Sequence, residues 1–240
     1  MASIEPDFCY LCGKALCDPT NDDHVPPKQL FTKSLRRQFN PSKLQSIKVH
    51  LECNASYQID EDYFVTTLAP FAPGSIAGDA IFWKVIGDYQ ARKNRPLVSK
   101  VLGEFEEAPS GIILPKGRIA KRMEGKRISR VAWKIVRGKI FLQNGIVYPE
   151  DWTTDVTITP PGERPPDHFV LWMQERDPIS YGEYPGVFAY RFEQFEEVEN
   201  MHLWAMLLWD RIIITVSFHD RECKCDQCRS KVASVEKRGR

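Results

Sequence analysis

The chain has 240 residues and nothing approaching the ~18 to 20 unbroken apolar residues of a membrane span. Its longest apolar runs, 203–209 and 211–218, are far too short. The opening Met1-Ala2-Ser3-Ile4-Glu5-Pro6-Asp7 is acidic and lacks the apolar stretch of a secretory signal. A Gly-rich phosphate fingerprint is missing, as are a serine in a nucleophile elbow, an internal repeat and any low-complexity segment. Hydrophobic residues at 42% and charged residues at 27% exclude disorder, collagen and coiled coil. No cysteine lies between Cys53 and Cys223. An odd total of seven points to metal binding or packing in a reducing compartment rather than to disulfides. The expectation is a soluble cytoplasmic protein with no membrane partner.

The cysteines that are present fall into two groups. Cys9, Cys12, Cys17 and Cys53 stand near the front, and Cys223, Cys225 and Cys228 near the back. Charge is segregated as well, beneath a formal net of +1. Residues 113–139 hold ten Lys or Arg against the single acid Glu124, whereas 191–200 hold four glutamates against Arg191. One basic face is enough to bind a polyanion through counterion release. Lys116, Arg118, Lys121, Arg122, Lys126, Arg127, Arg130, Lys134 and Arg137 are therefore candidate nucleic-acid contacts.

Pattern and composition predict an α+β chain. Residues 1–69 carry the Cys and His residues and end in a helix whose apolar spacing is clear from about Asp60. The segment 69–75, with two prolines and a glycine, predicts a domain boundary. Residues 70–240 read as an accessory domain, helical first and then β-rich. Helices are expected from Ile76 towards Glu107, interrupted at 92–96, and from about 128 to 142. Strands are expected at 155–159, 187–192, 201–208 and 211–218, with a short helix at 167–174 after Pro165-Pro166. The six tryptophans sit among apolar neighbours and are expected in the core.

Cys9-x2-Cys12-Gly13 and His50-x2-Cys53 have the same i, i+3 spacing. Two such pairs make a closed tetrahedral zinc site, with Cys17 a rival fourth ligand. The 37 residues between the pairs carry Asp23-His24-Val25-Pro26-Pro27-Lys28, and Cys53-Asn54 leads into Ser56 and then Asp60-Glu61-Asp62-Tyr63-Phe64. Over residues 9 to about 66 this order of motifs resembles the HNH endonucleases, the ββα-metal or His-Me finger fold. The resemblance implies a metal-dependent phosphodiesterase, with DNA the expected substrate. In it His24 is the general base, Asp23 and Asn54 hold Mg²⁺ or Mn²⁺, and the zinc is structural. A histidine suits the base because its ordinary pKa lies near neutrality. The middle position of the motif, usually Asn or His, aligns with Gln45, with Asn40 as a substitute. Asp60 and Glu61 are expected to approach the metal or a basic neighbour, or else to sit at a solvated helix N-terminus where the dipole favours them.

His219-x3-Cys223-x-Cys225-x2-Cys228 is a candidate second zinc site, unless its thiols are free or complete a site with a partner chain. Functionally the expectation is an HNH nuclease, in the manner of a restriction or phage-defence effector, with a regulatory partner or homo-oligomerisation as further options. The alternative is a zinc-stabilised nucleic-acid-binding or adaptor protein whose nuclease core is weak or inactive.

Overall fold

The structure is a computed structural model that describes residues 6–38, 44–107, 109–152, 154–174, 181–195, 201–220, 223–226 and 228. It begins with a hairpin. β1 (Thr20–His24) pairs antiparallel with β2 (Ser46–His50), from Thr20 opposite His50 to His24 opposite Ser46. A short helix α1 (Lys33–Gln38) lies in the connection between them. Alternation along β2 buries Ile47 and Val49 on one face. β2 runs without a loop into α2 (Leu51–Leu68). The helix thus starts nine residues before the point at which its apolar spacing becomes visible. Its first two turns are largely exposed, whereas Tyr63 to Leu68 are buried on all sides, so the early turns carry no hydrophobic signal.

The turn at Ala69–Phe71 leads to α3 (Ile76–Gln90), whose N-cap Ser75 accepts a hydrogen bond from the Gly78 amide at 2.9 Å. α4 (Arg95–Leu102) follows, and a minimal hairpin of β3 (Phe105–Glu106) and β4 (Ala120–Lys121) precedes α5 (Gly125–Asn144). Then come β5 (Asp155–Thr159), α6 (Asp167–Gln174), β6 (Tyr181–Tyr184), β7 (Phe188–Phe195), β8 (Met201–Leu208) and β9 (Ile212–His219). β5 to β9 form a five-stranded antiparallel sheet in the order β5-β9-β8-β7-β6. β6, with its Gly182 and Glu183, has too weak a strand pattern to be read from sequence.

Helix α5 is the element that joins the parts. It packs on α2 and also on β5 and β9. Val131, Ile135 and Val136 share one buried cluster with Tyr63, Phe64 and Leu68 of α2, with Ile81 of α3 and with Trp204 and Ile214 of the sheet. The core therefore crosses the sequence boundary at 69/70, and residues 69–75 are a corner within it. On its hairpin side α5 approaches so closely that a Cβ at Gly138 would lie 2.7 Å from the Val25 side chain and 3.3 Å from the Tyr10 hydroxyl. Tryptophans 133, 204 and 209 are buried, but Trp83 is 65% exposed on α3, against the expectation that all six are core. The Trp172 side chain and Asn40 lie outside the described residues. No described helix is long and apolar enough to cross a membrane.

Candidate functional site: two Cys/His clusters and a polar cleft

At the front, Cys9 opens a tight knuckle. The Cys12 and Gly13 amides both donate to its carbonyl, at 3.3 and 2.7 Å. Gly13 takes φ +73°, the left-handed backbone that glycine adopts without cost. The second pair spans the β2–α2 junction, where His50 is the N-cap of α2 but makes no side-chain cap. Its ring is used elsewhere. Nδ1 lies 3.4 Å from Cys12 Sγ and 3.8 Å from Cys53 Sγ, while Nε2 faces the Ala15 carbonyl at 3.1 Å. That outer contact orients the imidazole as a second-layer partner of a metal ligand does. The donor atoms of Cys9, Cys12, His50 and Cys53 all lie within 4.8 Å of one another. The group can hold a metal such as zinc, and the donor set suits a tetrahedral site. Cys17, the rival, sits on the far side of the ring, 3.4 Å from Nε2.

The second cluster has the same composition. His219, the last residue of β9, and Cys223, Cys225 and Cys228 bring their donor atoms within 4.8 Å of one another. Here too one nitrogen, His219 Nδ1, faces all three sulfurs, at 3.8, 3.2 and 3.3 Å. In each cluster one thiol is pushed up to about 12, Cys53 and Cys228, first by burial and then by the neighbouring thiols. A metal ion must displace that proton, so its affinity falls as the medium becomes acidic.

Between the hairpin, α2 and the helices α3 and α4 lies a cleft of about 550 Å³. Asp23, His24 and Asn54 line it, together with Asn21, Asp22, Gln58, Asp62, Lys28, Arg36 and Lys84. Asn54 is placed by two contacts to β1, donating through Nδ2 to Asn21 Oδ1 at 3.2 Å and to the Asp22 carbonyl at 3.4 Å. His24 is held below the usual histidine range by burial and then by the positive charge of Lys28. It is therefore neutral at neutral pH and able to accept a proton.

Three expectations need correction. Asp23 lines the cleft, but its carboxylate turns inward and is 3% exposed. One oxygen takes the Lys134 ammonium at 2.6 Å and the other takes the Tyr10 hydroxyl. Lys134 also bonds Glu61, whose other oxygen accepts from Gln29 at 2.8 Å. Gln45 is outside the cleft lining, with its side-chain oxygen accepting from Lys139 at 2.5 Å, so it is not placed to orient a catalytic group there.

The third correction concerns the basic stretch. Arg127, Arg130, Lys134 and Arg137 recur at helical spacing and form one stripe of α5, but that stripe faces α2 and the knuckle instead of solvent. Arg127 and Arg130 both bond Asp60, each at 2.6 Å. Arg137, fully buried, donates to the carbonyls of Tyr10, Leu11 and Tyr148 at 2.7 to 2.8 Å. Lys121 pairs with Glu104 at 2.6 Å. Lys116, Arg118, Arg122 and Lys126 stay exposed. The missed signal was the acid pair Asp60-Glu61 on one helix and a 3-4-3 cationic stripe on another, a complementary pattern for two packed helices.

Arg137 ties α5 to the two residues inside the Cys9–Cys12 knuckle. Arg137→Leu would leave three buried carbonyls without their donor, at ~1 to 3 kcal/mol each. The expected result is a loss of ~3 kcal/mol or more in urea unfolding. A change within ~0.5 kcal/mol would show that these bonds are not made in solution. Comparison of the chain with family models, with curated proteins and with solved structures gives no match.

Proposed function

We propose that the chain is an HNH-type endonuclease that hydrolyses phosphodiester bonds, in DNA before RNA, in the setting of restriction or phage defence. The single observation that carries this reading is the meeting of His24 and Asn54, distant in sequence, in one cleft beside a hairpin–helix junction braced by a Cys/His cluster. In this reading neutral His24 takes a proton from water, the water oxygen bonds to phosphorus, the bond to the leaving sugar oxygen breaks, and that oxygen takes up a proton from solvent. Lys28, close enough to depress the His24 pKa, and Arg36, whose Nε is buried without a hydrogen-bond partner among the described residues, supply positive charge at the same cleft.

A catalytic Mg²⁺ or Mn²⁺ on Asp23 and Asn54 does not fit the residues as placed, because both Asp23 oxygens already have partners. The deciding experiment incubates zinc-loaded protein with supercoiled DNA and with RNA, with and without added Mg²⁺ or Mn²⁺. Nicking or linearisation that depends on His24 is the expected outcome.

The second reading, a nucleic-acid-binding or adaptor protein without cleavage, is favoured by the enclosed Asp23 carboxylate. Substrate binding with no cleavage under any ion would establish it. Both Cys/His clusters are taken to hold structural zinc. Two zinc ions per chain are then expected by native mass spectrometry, falling to one in Cys225→Ser. An unchanged count in that variant, or one ion in the wild type, would remove the second site.

A further inference from the structure

We infer that Lys134 is the resident cation of an internal acidic site, and that the Asp23–Glu61 pair is built around its ammonium and excludes a divalent metal ion. Of the ammonium's three N–H donors, two go to carboxylates. One goes to Asp23 Oδ1 at 2.6 Å and one to Glu61 Oε1, and the face of the Tyr57 ring lies 5.0 Å away. The outer oxygens of both carboxylates are capped in turn, by the Tyr10 hydroxyl on Asp23 and by the Gln29 amide on Glu61. Each of the four carboxylate oxygens therefore already accepts a hydrogen bond.

Asp23 and Glu61 belong to the wall of the cleft, yet very little of the three side chains is open to it. Lys134 is 1% exposed, Asp23 3% and Glu61 5%. Mg²⁺ and Mn²⁺ require about six oxygen ligands, and Mg²⁺ ordinarily retains several waters. A divalent ion here would have to displace the ammonium from both carboxylates, and a buried charge left without its partners costs several kcal/mol. The other members are fixed from three separate elements: β1 supplies Asp23, α2 Glu61 and α5 Lys134. The site is therefore a joint between helix α5 and the hairpin, and its charge balance is set by a residue 111 positions downstream of Asp23.

The inference stands whether or not the chain cleaves nucleic acid, and its test reads metal binding alone. Mn²⁺ bound to the zinc-loaded full chain is counted by electron paramagnetic resonance at millimolar Mn²⁺. Wild type and Asp23→Asn should bind the same number of ions. Lys134→Met, which keeps the length of the side chain but removes its charge, should bind one additional ion. Adding Asp23→Asn to Lys134→Met should abolish that extra ion. Loss of a Mn²⁺ ion on Asp23→Asn alone would overturn the inference, as would a folded Lys134→Met protein with no extra ion. The comparison of wild type with Asp23→Asn decides the question even if Lys134→Met does not fold.

Discussion

Replacing His24 by alanine should lower cleavage of supercoiled DNA by ~10² or more, the ordinary contribution of a general base. Zinc content and circular dichroism should stay at wild-type values. The separation is expected because His24 ends β1 at the cleft, half-exposed, and its ring makes no hydrogen bond among the described residues. What the backbone does at this point is independent of the imidazole: His24 pairs with Ser46 in the ladder, and the Val25 amide donates to the Gln45 carbonyl at 3.0 Å. Cleavage that survives in His24→Ala at the wild-type rate would remove the imidazole from the mechanism. Asn54→Ala is a less clean probe, since the Asn54 amide also clamps α2 to β1.

Emptying the front Cys/His cluster of the zinc proposed for it should have a larger effect on stability than any other single change. Cys53→Ser, or chelation of the wild type, is expected to unfold the front of the chain and to cause aggregation. Structural zinc sites in small domains contribute ~10 to 16 kcal/mol at neutral pH. Cys9, Tyr10 and Leu11 are all 3% exposed or less. They are the residues whose carbonyls and side chains hold Arg137 and Phe141 of α5. Loss of the knuckle should therefore spread into α5, and amide exchange in residues 125–144 should rise along with that of residues 9–17. A Cys53→Ser protein as heat-stable as wild type would show that the cluster is a group of packed thiols and not a metal centre.

The two clusters were legible in the sequence because each rests on short spacing. Two donors at i and i+3 are brought to one side of a knuckle or helix start by local geometry alone, so only the pairing of the pairs was left to the fold. The strands β5, β7, β8 and β9 were legible for a similar reason. Their β-branched and aromatic runs are bounded by turn residues, and in a two-layer packing the same alternation is what buries Ile214 and Val216. The early turns of α2 were not legible, because Asn54, Ala55 and Gln58 face a polar cleft, and a helix that lines a cleft has no apolar stripe to display.

Charge was read least well. A run of cations such as 116–139 looks the same in sequence whether it faces solvent or other elements, since the interaction energy depends on partners anywhere in the chain. Here Asp60 binds Arg127 and Arg130, and Asp23 and Glu61 bind Lys134. The sequence alone determined which donors could gather round a metal, and that His24 lies in the insert between the two pairs while Asn54 directly follows the second. Only the tertiary structure decided that the aspartate beside His24 is already neutralised, because α5 crosses behind the hairpin and buries an ammonium against it. Spacing along the chain governs contacts within a turn or two of backbone, whereas burial and charge pairing are set by which surfaces the whole fold presses together.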